Sequence, residues 1–429
     1  MSAIITKIVS IIMALVTFLS AGIAKIDTNR YLTILLHAFT YYFDEKTNDS
    51  VDSFLEKTDG VVKGVCHPNE KFDQIKDANI EWVRFDLSHM PLDAKGNRTP
   101  GYLSYIERAK SYADRGFKVM CITPYPEEYI ENGFDPRTPE GKEKVKADAK
   151  FLAQDLQGIV SAFQITNEMG IEHFTLPLTI EEAAEYIGIQ LEAMKDYKGD
   201  IVTGFNIAGM AMGPLLENTK PYYQYCDYIG IDIYLGCFEN IFKYLICYDL
   251  LMQSVFDMTH LPVMINEFGY IGYGEVKTRE QKNKILQSYG YADEDAARAD
   301  FENFLNQLPP KFKNHLINLE YSSMDELADK LFNTELANHL YREIQGGYEL
   351  AQYKHNPEDQ ARFFTDCIAR LSKIDFCVGA FVYCYSDSDA CYICGQEDCP
   401  VETGWGLVDL NGNPKPAYYA VKDAYAKWN

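Results

Sequence analysis

The chain has 429 residues, a formal charge of −23, an apolar fraction of 47% and a charged fraction of 24%. These values describe a folded chain long enough for one large domain plus an extension, and they exclude a disordered one. The surplus of acid excludes nucleic acid as a partner, because a phosphate backbone is bound through Lys and Arg in excess.

At the amino terminus Lys7 precedes an uncharged apolar run over residues 8–19, and Gly22 and Ala24 follow before Lys25. That order is the pattern of a secretory signal cleaved after about Ala24, or of an uncleaved membrane anchor over residues 1–24. Both place the protein outside the cytoplasm, with any membrane contact made through the N-terminus alone. The plain alternative is a buried amphipathic first helix of a cytosolic protein. Residues 25–60 read as an N-terminal helical extension, with a helix in the apolar run 31–43 and a loop in the polar run 44–53. Asn48 and Asn97 head N-x-S/T triplets, which matter only in a eukaryotic source.

From Val61 the pattern changes to short apolar or β-branched runs alternating with amphipathic segments, as expected of repeated βα units around a parallel sheet. There are eight runs: VVKGVC from Val61, EWVRFD from Glu81, KVMCIT from Lys118, AFQIT from Ala162, IVTGF from Ile201, YIGIDIY from Tyr228, PVMIN from Pro262 and VGAFVY from Val378. The expected fold is therefore an α/β (β/α)8 TIM barrel over residues 61–429. Leu103, Ile106, Ala109 and Ala113 recur at helical spacing ahead of Gly116, a natural stop. Thr179 with Glu182, and Thr278 with Gln281, read as capping boxes that open helices. The seventh and eighth strands are separated by about three times what a βα unit needs. A helical insertion, a lid or a bracket, is expected over about residues 287–359, with helical stretches at 293–308 and 323–341 broken by Pro309 and Pro310.

In a parallel barrel the site is built at the carboxyl ends of the strands. Two glutamates stand there: Glu168 after the fourth run, in Thr166-Asn167-Glu168, and Glu267 after the seventh, in Asn266-Glu267-Phe268-Gly269. A structural turn would more often place Gly, Asn or Asp at those points. Retaining hydrolysis of a glycosidic bond needs two carboxyl groups about 5–5.5 Å apart on opposite sides of the anomeric carbon. Strands four and seven of an eight-stranded barrel face each other across the lumen.

These residues carry a family likeness. The chain resembles the retaining (β/α)8 glycoside hydrolases of the clan A type, in which an Asn-Glu pair follows strand four and a nucleophilic Glu follows strand seven. The resemblance covers roughly residues 61–427 without the insertion. It implies Glu168 as acid/base, Glu267 as nucleophile and Asn167 as a ligand of the sugar 2-hydroxyl. Arg84, inside WVRFD, matches the Arg that holds the nucleophile ionised; independently, an Arg within an apolar strand is costly to bury unless paired. Tyr234 matches an aromatic that hydrogen-bonds the nucleophile, or simply closes the barrel. Tyr383 and Tyr385 lie where the clan usually carries a Trp beneath the sugar. His67 ends the first strand and either touches substrate or is structural. The stretch TGWGLVDLNGNPKPAYYAV resembles the clan's entry to its last helix and speaks to fold alone.

The implied activity is cleavage of a β-glycosidic bond in an oligo- or polysaccharide by double displacement, without a cofactor. Two other readings remain: a carbohydrate-binding barrel without catalysis, and a transglycosylase using the same residues. A metal hydrolase is disfavoured, since no His-x-His pair occurs among the eight histidines. Eleven cysteines is an odd count, so at least one cannot pair internally. Cys66, Cys121 and Cys377 read as small buried hydrophobes. Cys384, Cys391, Cys394 and Cys399 cluster after the eighth run, where a structural zinc, one or two disulfides, or free thiols are equally open.

Overall fold

The computed structural model describes residues 49–209, 212–237, 243–319, 321–344 and 349–429. The leader and the apolar run 31–43 lie outside the described residues. Among the described residues no helix is long and apolar enough to cross a membrane.

All eight expected strands form. They are β1 Val62–Cys66, β2 Trp82–Asp86, β3 Lys118–Ile122, β4 Ala162–Met169, β5 Val202–Ile207, β6 Tyr228–Asp232, β7 Val263–Phe268 and β8 Cys377–Val382. Each pairs in parallel with the next, and β1 pairs with β8, so the sheet closes into a barrel. Every strand is buried at each apolar position on both sides, as a sheet wrapped by helices requires; the partly exposed strand residues are Lys63, Asp86, Lys118 and Glu168.

Strand alternation sends one set of side chains to the helices and the other into the lumen. Phe85, for example, packs outward against Tyr105 and Tyr112, whereas its neighbour Arg84 points inward. Bulk in the lumen is balanced by glycine. Phe381 of β8 lies over Gly64 of β1, where a Cβ would stand 2.1 Å from the ring, and Gly230 of β6 leaves room for the Asn266 amide, 2.7 Å from the same construction.

The helix Pro100–Ala113 forms as expected, and Thr99 caps it through the Tyr102 amide. Its buried face is Tyr102, Tyr105, Ile106, Ala109 and Tyr112, while Leu103 points to solvent at 44% exposure. The aromatic stripe, one residue out of phase with Leu103, buries more area and sets the rotation of the helix. Both capping boxes are present, each with reciprocal bonds, at Thr179/Glu182 and Thr278/Gln281.

Two expectations need correction. Part of the polar run 44–53 is not loop: a helix begins within it and spans Asp49–Lys57. Val51, Phe54 and Leu55 form its apolar stripe, with Phe54 edge-on to the Tyr228 ring at 5.8 Å. Lys57 pairs with Asp227 at 2.7 Å, and Ser50 Oγ donates to the His260 carbonyl at 3.4 Å. The helix thus packs at the end of the barrel where the strands begin. In the interval between β7 and β8, the stretches at 293–308 and 323–341 are each two helices, Glu294–Ala299 with Phe301–Gln307 and Met324–Asn333 with Leu336–Tyr341. The breaks fall at Asp300 and Thr334, whose backbones leave the helical region. Folding back lets Phe304 stack on Phe332 at 5.7 Å and gather Phe301 beside it.

Gly64→Ala tests the packing of the lumen. The added methyl forces the Phe381 ring to move, and we expect a loss of about 1–3 kcal/mol, read as a lower urea midpoint with an unchanged slope.

Candidate active site

The carboxyl end of β4 is irregular. The register with β5 shifts between Ile165 and Met169, and Thr166 (φ 52°) and Glu168 (φ 45°) both adopt left-handed backbone. For residues with a Cβ this costs of order 1 kcal/mol each, and such residues gather at functional sites. His67, at the end of β1, has φ 48° as well. What holds Glu168 in place is Asn206 at the end of β5, whose Oδ1 accepts the Glu168 amide at 2.9 Å.

Below the two glutamates lies a polar layer within the lumen. Arg84 is 1% exposed and spreads its guanidinium over three strands. Nε donates to Gln164 Oε1 at 2.8 Å, Nη2 to Asn167 Oδ1 at 2.7 Å and Nη1 to Glu267 Oε1 at 2.5 Å. Asp232 Oδ2 stands 3.8 Å from Nη2. Asn167 Oδ1 also accepts from Gln164 Nε2 and Asn206 Nδ2, each at 2.9 Å. Three donors on that oxygen leave the Asn167 amino group facing Glu168, 3.5 Å from Oε2.

Glu267 receives a donor on each oxygen, Arg84 on Oε1 and the Tyr234 hydroxyl on Oε2. Acceptor-only bonding at both oxygens is the pattern of a carboxylate. Burial, then the adjacent Glu267, push the Tyr234 phenol well up, so it remains a donor. Among the described residues Glu168 has no ion-pair partner, since Arg84 pairs with Glu267. Burial first, and the Glu267 charge second, push it up to about 8 against the opposing pull of Arg84. Asp232 is raised for the same two reasons. With one buried cation among three carboxyls, Glu168 and Asp232 are both raised despite the pull of Arg84.

Tyr383 belongs to this site. Its ring meets His67 at 5.4 Å, Tyr234 at 5.6 Å and Trp405 at 5.7 Å, all edge to face. His67 lies exposed at the rim. Tyr385 is a correction: it is fully buried and its hydroxyl donates to Gln74 Oε1 at 2.8 Å on the helix Phe72–Asp77. Two residues beyond Tyr383 the chain has turned, and the ring fills space between barrel and helices. Cys384 is also apart from the other three cysteines; its Sγ donates to the Ser386 carbonyl at 3.1 Å. Cys391, Cys394 and Cys399 do come together, joined by His339 from the interval between β7 and β8. None of the eleven cysteines is in a disulfide.

Several residues of the site escaped the reading of the sequence. Asn206, Asp232 and Gln164 are polar positions inside apolar strand runs, the same signal that marked Arg84. Trp405 lies in the stretch read as fold alone, yet its indole packs on Tyr234 at 5.1 Å while Nε1 donates to the Val401 carbonyl at 2.7 Å. Glu402 is 7% exposed, and its carboxyl is raised by burial, with Cys391, Glu168 and Glu267 adding. Nothing in its local sequence points to the cleft, because the loop brings it there.

No family model matches the chain, and no curated protein matches it. Solved structures do. The chain is similar to a family 39 glycoside hydrolase from the gut symbiont Bacteroides cellulosilyticus WH2, with 14% identity, 86% of this chain and 64% of that one covered, and a TM-score of 0.50. It is similar to a GH2 β-galacturonidase from Eisenbergiella tayi bound to galacturonate, with 14% identity, 86% and 51% coverage and a TM-score of 0.48. A third is the Ignisphaera aggregans GH53 catalytic domain, with 14% identity, 88% and 94% coverage and a TM-score of 0.47. The chain spans about half the length of the galacturonidase. At such identity the likeness speaks to fold alone: the chain is built on a (β/α)8 barrel, as its closed parallel sheet of eight strands also shows.

Proposed function

We propose that the protein is a retaining glycoside hydrolase that cleaves a β-glycosidic bond by double displacement. The observation that carries this reading is the unequal setting of the two glutamates. Glu267 accepts from Arg84 and Tyr234 as an anion would, whereas Glu168 is raised to about 8. A neutral acid beside a fixed anion is the pairing that this chemistry requires. Glu168 protonates the leaving oxygen while Glu267 attacks the anomeric carbon. Glu168, now ionised, then takes a proton from the water that releases the sugar. The Asn167 amino group is placed to bind the sugar 2-hydroxyl, and Tyr383, with Trp405 behind it, offers an aromatic wall for the ring. The substrate class is an oligo- or polysaccharide.

Glu168→Gln and Glu267→Gln keep the shape of the site and remove its chemistry. We expect kcat to fall by at least about 10²–10⁴-fold in each, with thermal melting little changed in Glu168→Gln and lowered in Glu267→Gln, which leaves Arg84 buried without its carboxylate. Product anomer, followed by NMR during turnover, should retain the substrate's configuration; wild-type activity in either variant, or inversion, defeats the mechanism. Azide should restore turnover of an activated aryl glycoside by Glu168→Gln with a β-glycosyl azide as product.

The raised acid sets a pH limit. Glu168 is protonated below about 8, so kcat/KM is expected to decline as pH rises through that value and the proton donor is lost. With an aryl leaving group that needs no protonation, the alkaline limb should weaken in the wild type and vanish in Glu168→Gln.

Arg84→Met leaves Glu267 buried without its cation. A broken buried pair costs about 3–5 kcal/mol, and we expect that loss in chemical denaturation together with a fall in kcat of about a hundredfold or more. Arg84→Lys keeps a charge but not the three-way fork, so it should regain part of the stability and little of the rate.

A further inference from the structure

His339, in the last turn of the helix Leu336–Tyr341, and Cys391, Cys394 and Cys399 are all buried. One ligand atom from each lies within 4.8 Å of all the others. His339 Nδ1 is 3.4 Å from Cys391 Sγ and 3.6 Å from Cys399 Sγ. In a tetrahedral zinc site, bond lengths of about 2.3 Å to sulfur and 2.0–2.1 Å to nitrogen put neighbouring ligands about 3.6 Å apart. The two edges from His339 to sulfur have that length.

The backbone around the sulfurs is shaped for the same purpose. Cys391 and Cys394 are separated by two residues, and the Cys394 amide donates to Cys391 Sγ at 3.4 Å. The Gly395 amide donates to the Cys391 carbonyl at 2.8 Å, and the Cys391 amide to the Gln396 carbonyl at 3.0 Å. Gly395 closes this turn at φ +72°, a conformation that favours glycine. The tight turn aims two sulfurs at one point and sets an amide donor on one of them. Three thiols also cannot all pair with one another. One disulfide among them would leave the third sulfur and an imidazole buried beside it, whereas a divalent cation satisfies all four groups at once.

We propose that His339, Cys391, Cys394 and Cys399 form a structural zinc site that fastens the helices between β7 and β8 to the loop after β8. All four positions are supplied by the protein, which is the closed set of a structural centre rather than a catalytic one. The site lies immediately before the helix Pro400–Thr403, which carries Glu402, and Trp405 follows. The metal therefore anchors one wall of the cleft. Farther along the junction Gln360 Nε2 donates to the Gly404 and Trp405 carbonyls, but beside the four ligands the polar ties are weaker: Arg342 pairs with Asp398 at 3.1 Å, with Asp398 67% exposed, and Gln396 Nε2 reaches the His339 carbonyl at 3.4 Å.

The test is metal content, which is read without substrate and so stands apart from the glycosidase reading. Full-length protein made in zinc-supplemented medium and dialysed should hold about one zinc per chain by plasma mass spectrometry. Cys384→Ser should keep that content, and Cys391→Ser/Cys399→Ser should lose it. His339→Ala should shorten retention against a competing chelator by about tenfold or more. If the double variant does not fold, Co²⁺ loaded into the wild type decides instead. Thiolate charge-transfer bands with tetrahedral d–d bands support the site, and an octahedral spectrum overturns it. Substoichiometric zinc in the wild type, unchanged zinc in the double variant, or a disulfide among the three cysteines by intact mass also overturns it. Chelation should lower the melting temperature by several degrees, with recovery on adding Zn²⁺ alone.

Discussion

A guanidinium taken out of water is tolerated only when every face of it finds an acceptor. Arg84 meets that condition by drawing acceptors from strands on both sides of the lumen: Gln164 and Asn167 from β4, and Glu267 from β7. Each of those groups is in turn held by others. Gln164 also accepts from Asn266 at 2.6 Å, and Asn167 from Asn206, which carries the Glu168 amide. The positions of both glutamates thus follow from one buried cation. Removing it would disturb the geometry of the whole layer as well as its charge.

The same layer explains why the lumen is unlike an apolar core. Toward the start of the strands the interior is filled by Trp82, Tyr228 and Phe381, with glycines opposite them. Toward the other end it becomes a network of amides and carboxyls with little solvent contact. In such surroundings the charge on one acid strongly disfavours the charge on its neighbour. Position alone thus raises Glu168 and Asp232 above ordinary carboxyl groups.

The strands were legible because a parallel barrel buries both faces, so that β-branched and apolar runs stand out against amphipathic helices. Arg84 and the two glutamates were legible because a charge at or inside such a run has few structural uses. Asn206, Asp232 and Gln164 send the same signal more quietly, since a neutral amide or a strand-ending Asp is common in turns. Glu402, Trp405 and His339 could not be placed from sequence. They reach the cleft or the cysteine group through long connections, and the path of such a loop depends on tertiary packing rather than on local pattern. Tyr385 fails for the complementary reason: alternation predicts direction only while the chain remains extended, and beyond Val382 it does not.

The short helix Asp49–Lys57 packs where the strands start, at the pole opposite Glu168 and Glu267. A label fixed to the exposed face of that helix, at Asp52 or Glu56, is therefore held at the rear of the molecule. An immobilised form tethered through that helix would turn the Glu168 and Glu267 end of the barrel outward.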